Sequence, residues 1–210
     1  PSDNARRARV SGALPPSRFS RYRPYVKSPG YNGALSLLRR REPRGFDLAY
    51  AAYAGPLLGF LTRLSGRRDV AEDLVQHVFL RLAERGPELA RDSDLRAWLY
   101  AVARNAYVSH VRRAPLVVDD AALEGLANPS PDVEARLMLG DVERALGALR
   151  FEDREVLLLV AVNGLERAAV ARLLGLDPAA LRQRLSRARS RLLAELERLP
   201  PVASTRRTRP

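Results

Sequence analysis

The 210 residues contain no cysteine, which excludes disulfides and thiolate metal sites, and the only histidines, His77 and His110, fall on separate helical segments. No metal and no cofactor is expected from so sparse a ligand set. Lysine is nearly missing too. Lys27 is the single one, and every other basic residue is arginine; a GC-rich coding sequence would produce this bias as readily as phosphate recognition would. Long apolar runs are also absent. The longest, Val156 to Val162, falls far short of the roughly 20 residues that a membrane-spanning helix needs. The opening residues carry no secretory pattern, so a cytoplasmic chain is expected. No nucleophile paired with a base, no metal cluster and no phosphate loop can be found, which argues against an enzyme.

What is abundant is positive charge, and its placement matters more than its total of +12. Residues 1–45 hold eleven Arg or Lys against Asp3 and Glu42, and residues 200–210 add Arg206, Arg207 and Arg209. Of the 36 basic and 24 acidic residues, 22 of each therefore lie in 46–199. The central part is neutral overall, so the high isoelectric point reports mainly on the ends. Residues 1–45 carry Pro15, Pro16, Pro24 and Pro29 with several Gly and Ser and no sustained apolar period, and are expected to be disordered. The basic tail 199–210 is given the same expectation.

Helical periodicity begins at Phe46, where Phe46, Tyr50, Tyr53, Leu57, Phe60 and Leu61 recur at steps of three and four. After a break at 66–69, with Asp69 placed to cap, a second helix runs to about Arg85 on a stripe of Ala71, Leu74, Val75, Val78 and Leu82. A third starts near Ser93 or Asp94 and carries Leu95, Trp98, Leu99, Val102 and Ala106, with Trp98 read as core. Arg112 and Arg113 close it, which suits a helix C-terminus. Residues 114–132 hold prolines and acids without a basic residue and form an acidic linker. Helical pattern then returns over 133–149, 152–162, 166–174 and 178–198. No strand-like alternation occurs, so the chain is expected to be all-α: two small helical domains, 46–113 and 133–198, joined by the flexible acidic linker.

The strongest local signal spans 166–193. Gly175 closes one short helix, Asp177 is an N-cap and Pro178 occupies the first position of the next, which spells a tight helix-turn-helix. In the second helix Leu181, Leu185, Ala188 and Leu192 form the buried seam, leaving Arg182, Gln183, Ser186 and Arg187 on another face. Five Arg and no acid lie between Leu181 and Leu192, an arrangement suited to the phosphates flanking a major groove.

Three segments, AEDLVQHVFLRL (71–82), LRAWLYAVARNAYVSHVRR (95–113) and ARLLGLDPAALRQRLSRARSRL (171–192), together resemble the extracytoplasmic-function sigma factors of the bacterial sigma-70 family. The resemblance covers roughly 46–197 and includes the order of the motifs. It implies a sigma domain 2 followed by a sigma domain 4, core RNA polymerase and promoter DNA as partners, and an anti-sigma factor as a further one. It places polymerase docking on Asp73, Gln76, His77 and Leu80, which share a face distinct from the core stripe. The opened minus-ten strand would meet Arg104, Asn105, Ser109, Arg112 and Arg113, with the loop 88–94 nearby; amide and hydroxyl groups suit the edges of unstacked bases. Duplex minus-thirty-five DNA would be read by Arg182, Gln183, Ser186 and Arg187, with Arg191 left for phosphate. The acidic linker resembles the family's connector, which threads a positively charged polymerase channel; generic linker acidity competes with that reading.

Two departures from the family pattern stand out. Ala179-Ala180-Leu181 replaces the common Gly-Thr-Val at the start of the recognition helix, and Ala168 and Ala169 replace an acidic pair. The competing class is a dimeric helix-turn-helix regulator, which would protect palindromic duplex DNA without polymerase.

Overall fold

The computed structural model describes residues 32–113 and 133–199, and every regular element among them is helical. The acidic linker and the segments 1–31 and 200–210 lie outside the described residues. Helices α1 (Asn32–Arg39), α2 (Pro43–Ser65), α3 (Arg68–Arg85) and α4 (Leu95–Arg113) make the first half. Helices α5 (Val133–Ala148), α6 (Phe151–Leu157), α7 (Arg167–Leu174) and α8 (Pro178–Arg198) make the second.

Helix α1 corrects the expectation of disorder over 1–45. Ala34, Leu35 and Leu38 are buried, a short apolar face that settles on the start of α2. The approach is close enough that a Cβ on Gly45 would lie 2.5 Å from the backbone nitrogen of Leu38. Arg41, at φ 58°, reverses the chain between the two helices, and the N–H groups of Arg41 and Glu42 donate to the carbonyls of Leu38 and Leu37. An eight-residue helix offers only two turns of periodicity, too little to stand out beside prolines and glycines.

Pro43 sits in the first turn of α2, and Gly66 at φ 75° closes the helix, its N–H donating to the carbonyl of Thr62. Leu57, Phe60, Leu61 and Leu64 face inward, as does Ala49. Tyr50, expected on that stripe, is 51% exposed and rests against the Phe79 ring, centroids 4.7 Å apart. Asp69 does not cap α3: the extended residue is Arg67, and Asp69 already lies in the first helical turn. There it accepts from the Arg67 guanidinium, which holds its carboxyl down at about 2, and its charge favours the helix N-terminus. Asp94 does cap α4, its carboxylate accepting from the N–H of Ala97 at 3.0 Å.

Trp98 is core, as the stripe on α4 implied. Tyr100 and Ala103 are buried as well, because α4 is covered on one side by α2 and α3 and on the other by the second half of the chain. Tyr107 stacks on Phe151, with centroids 5.7 Å apart. The Tyr100 hydroxyl donates to Asn163 Oδ1 at 2.7 Å, burial pushing that phenol up to about 12. Arg96 donates to the Asn163 carbonyl, and Arg63 to Glu143 at 3.1 Å. Asn163 reaches this position because α6 widens into a π turn over Leu158–Val162, and its Nδ2 donates back to the Leu158 carbonyl. The buried side chains of both halves thus form one contiguous cluster.

Candidate polymerase and nucleic-acid surfaces

Three surfaces carry the residues singled out from the sequence. On α3, Asp73, Gln76, His77 and Leu80 are all exposed, while Ala71, Leu74, Val75, Val78 and Leu82 point inward. The two faces follow from helical spacing alone. Leu80, at 64% exposure, leaves a large apolar side chain in water. His77 titrates below its ordinary value, chiefly through partial desolvation and then through the charge of Arg81. Arg113, from the end of α4, adds to that repulsion, so the α3 surface borders the α4 surface.

On α4, Asn105 and Ser109 are half-buried and Arg112 and Arg113 exposed. Asn105, Ser109 and Arg112 make one line at i, i+4 and i+7. Arg104 is not part of it. Its Nε donates to Glu155 Oε1 at 2.7 Å, and Glu155 is only 1% exposed. Burial raises the Glu155 carboxyl above its ordinary value, with the Arg104 hydrogen bond opposing.

The third surface is the helix-turn-helix of α7 and α8. Gly175 takes the left-handed conformation at φ 68°, and the Leu176 N–H donates to the Ala171 carbonyl. Asp177 then accepts from the N–H groups of Ala179 and Ala180, both at 2.8 Å, and these bonds hold its carboxyl below the usual value. With the helix start fixed, Leu181, Leu185 and Ala188 are buried and Arg182, Gln183, Ser186 and Arg187 exposed. Ala169 is also buried, so a carboxylate could not be placed there without desolvation.

Two features of this surface were not legible in the sequence. Arg182 and Ser186 line an open cleft with Arg167, Arg189 and Ser190, so basic groups of both helices converge. Arg191, expected to be left for phosphate, is instead paired with Asp153, a carboxylate of which 7% is exposed. It ties α8 to α6. Among the described residues no group of His, Asp and Glu could hold a metal ion, and no helix is long and apolar enough to cross a membrane.

A capped helix with a basic outer face, set on an all-helical scaffold, has the form that suits the groove and phosphates of duplex DNA. Comparison with known proteins narrows the class. Sigma-70 region 2 matches residues 49–115, and Sigma-70 region 4 matches residues 139–192. The ECF RNA polymerase sigma factor EcfG of Rhodopseudomonas palustris is 33% identical over 67% of this chain and 78% of its own length. The sigma factor SigC of Mycobacterium tuberculosis is 34% identical over 60% of this chain and 70% of its own. Against the probable sigma factor RfaY of Xanthomonas campestris the identity is 38%, but the match spans only 35% of that protein. Among solved structures, CnrH in complex with the cytosolic domain of CnrY aligns at TM-score 0.62 and 25% identity, covering 79% of this chain and 96% of that one. The sigma factor RpoE of Bartonella quintana, in complex with the anti-sigma factor NepR, aligns at TM-score 0.61 and 28% identity, over 74% and 98%. The chain belongs to the extracytoplasmic-function sigma factors of the sigma-70 family.

Proposed function

We propose that this sigma factor divides its work among the three surfaces. The α3 face of Asp73, Gln76, His77 and Leu80 docks on core RNA polymerase. Asn105, Ser109, Arg112 and Arg113 hold the opened minus-ten strand, and Arg182, Gln183, Ser186 and Arg187 read the minus-thirty-five element in the major groove. Its role is recognition rather than catalysis. The observation that carries this reading is the Asp177 cap, which fixes α8 so that its aliphatic side chains are buried and four polar ones face outward together. A solved relative bound to an anti-sigma factor supports a partner of that kind here.

The same reading requires the two halves to part. The elements lie about 25 base pairs apart, or about 85 Å at 3.4 Å per step, whereas a compact body of some 150 residues has a radius of gyration of about 15 Å. The 19 residues of the linker, 114–132, can extend to at most about 65 Å, enough to let separated halves reach both sites. Arg104 then leaves Glu155 and becomes available to DNA.

In vitro transcription with purified core polymerase on a promoter library tests the proposal. Initiation from a defined class of promoters is the expected result. Absence of polymerase binding, with tight dimeric binding to palindromic DNA, would overturn it in favour of the regulator reading.

A further inference from the structure

The loop between α3 and α4 is held at three points, and two of them are partnered by α1, which lies outside the residues 49–115 matched by the family. At its start, buried Gly86 sits under α1: a Cβ there would meet the Leu38 and Leu82 side chains at 3.4 Å. In its middle, Arg39 Nη1 donates to the Leu89 carbonyl at 3.0 Å, across 50 residues of sequence. At its end, Asp94 caps α4. The short 3-10 turn Gly86–Glu88 is closed by the Leu89 N–H on the Gly86 carbonyl, and the Arg85–Glu88 ion pair at 2.8 Å spans it. Between these anchors Ala90, Arg91 and Asp92 are exposed, in a turn closed by the Ser93 N–H on the Ala90 carbonyl.

We propose that α1 is a positioning element for promoter opening, with Arg39 and Leu38 as the residues that set where the loop presents 90–92 to the separated strand. This rests on the reading above, in which that loop and α4 meet the opened minus-ten element. The chemistry is simple. A loop whose middle carbonyl is unanchored samples more conformers, and only a fraction of them present the tip correctly, so apparent affinity for the strand falls by that fraction. Leu38 fixes the loop's origin through packing; Arg39 fixes its middle through a directed bond from the exposed side of a helix whose inner face, Ala34, Leu35 and Leu38, is buried. The α1 helix thus has a task distinct from polymerase docking, because the α3 docking face lies on other side chains.

The test compares the full chain with Arg39→Ala, Arg39→Lys and Leu38→Ala, each assembled with core polymerase. Arg39→Ala should reduce the rate of open-complex formation about three- to tenfold, the effect of losing one ordinary hydrogen bond at a solvent-exposed position, and should relax base preference at the minus-ten element. Polymerase affinity, upstream duplex binding and melting temperature should stay unchanged. Lysine, which keeps one donor, should restore part of the rate, and Leu38→Ala should show the same opening defect along with a stability loss. If wild type initiates normally while Arg39→Ala opens promoters at the wild-type rate with unchanged base preference, the bracing role is wrong and the sigma reading stands. If wild type fails to initiate with core polymerase, the reading beneath the proposal fails with it.

Discussion

Arg104 Nε lies 2.7 Å from Glu155 Oε1 across the seam between α4 and α6, and this bond satisfies a carboxylate that is 1% exposed. The residue expected at the minus-ten strand is thus held by the opposite half of the chain. Removing its guanidinium would strand a buried charge, which costs about 3–5 kcal/mol when both partners are fully buried. Arg104 is 25% exposed, so a smaller loss, about 2 kcal/mol, is expected for Arg104→Ala, read by denaturant unfolding. Glu155→Gln, which removes the charge and keeps the shape, should cost less.

The seam also makes a prediction about distance. With no native cysteine, Ala51→Cys and Glu197→Cys provide a clean pair of labelling sites on the two halves. Energy transfer between dyes there should be high in the free chain and fall when core polymerase and promoter are added together. Unchanged transfer in an initiating complex would rule out separation of the halves.

Arg191 separates structure from recognition on one helix. Arg191→Ala leaves Asp153 buried without its partner, and because the arginine is itself half exposed the expected loss is about 1–2 kcal/mol. The salt dependence of upstream DNA binding should not change. Arg182→Ala should do the reverse, keeping stability and shifting preference among upstream bases by about 1–3 kcal/mol at the contacted position. Selection from a randomised upstream element reads this directly.

Asn105→Ala should leave upstream duplex binding intact and impair opening, because its proposed partner exists only after strand separation. Permanganate reactivity of melted thymines measures that step. Normal reactivity in the variant would remove Asn105 from the strand-reading set.

The Asp177 cap carries a pH dependence. Its carboxyl titrates below the ordinary value because two backbone N–H groups donate to it, so its contribution is complete above the unfolded-state value. It is lost as pH falls through the lowered native one. Asp177→Asn, which caps without titrating, should flatten that part of the acid-unfolding profile. Asp177→Ala should lower stability near neutral pH, where the cap is fully formed.

Features with local causes could be read from residue order alone. Gly175, Asp177 and Pro178 dictate a turn within four residues, and the three-four spacing of leucines fixes which side of α8 is buried; no distant residue needs to be known for either. The all-helical class and the three outward surfaces follow from the same short-range rules. Only the tertiary structure decided the fates of Arg104, Arg191, Tyr50 and α1. An arginine on a polar helix face reads the same in sequence whether it meets water, phosphate or a carboxylate, and the carboxylates here lie 51 and 38 residues away. Tyr50 keeps the period of a core residue yet lies outside, because Ala49 occupies the inward position. Helix α1 is too short to announce itself, and it holds its place through contacts with neighbouring Gly45 and with Gly86, which only long-range packing brings beneath it.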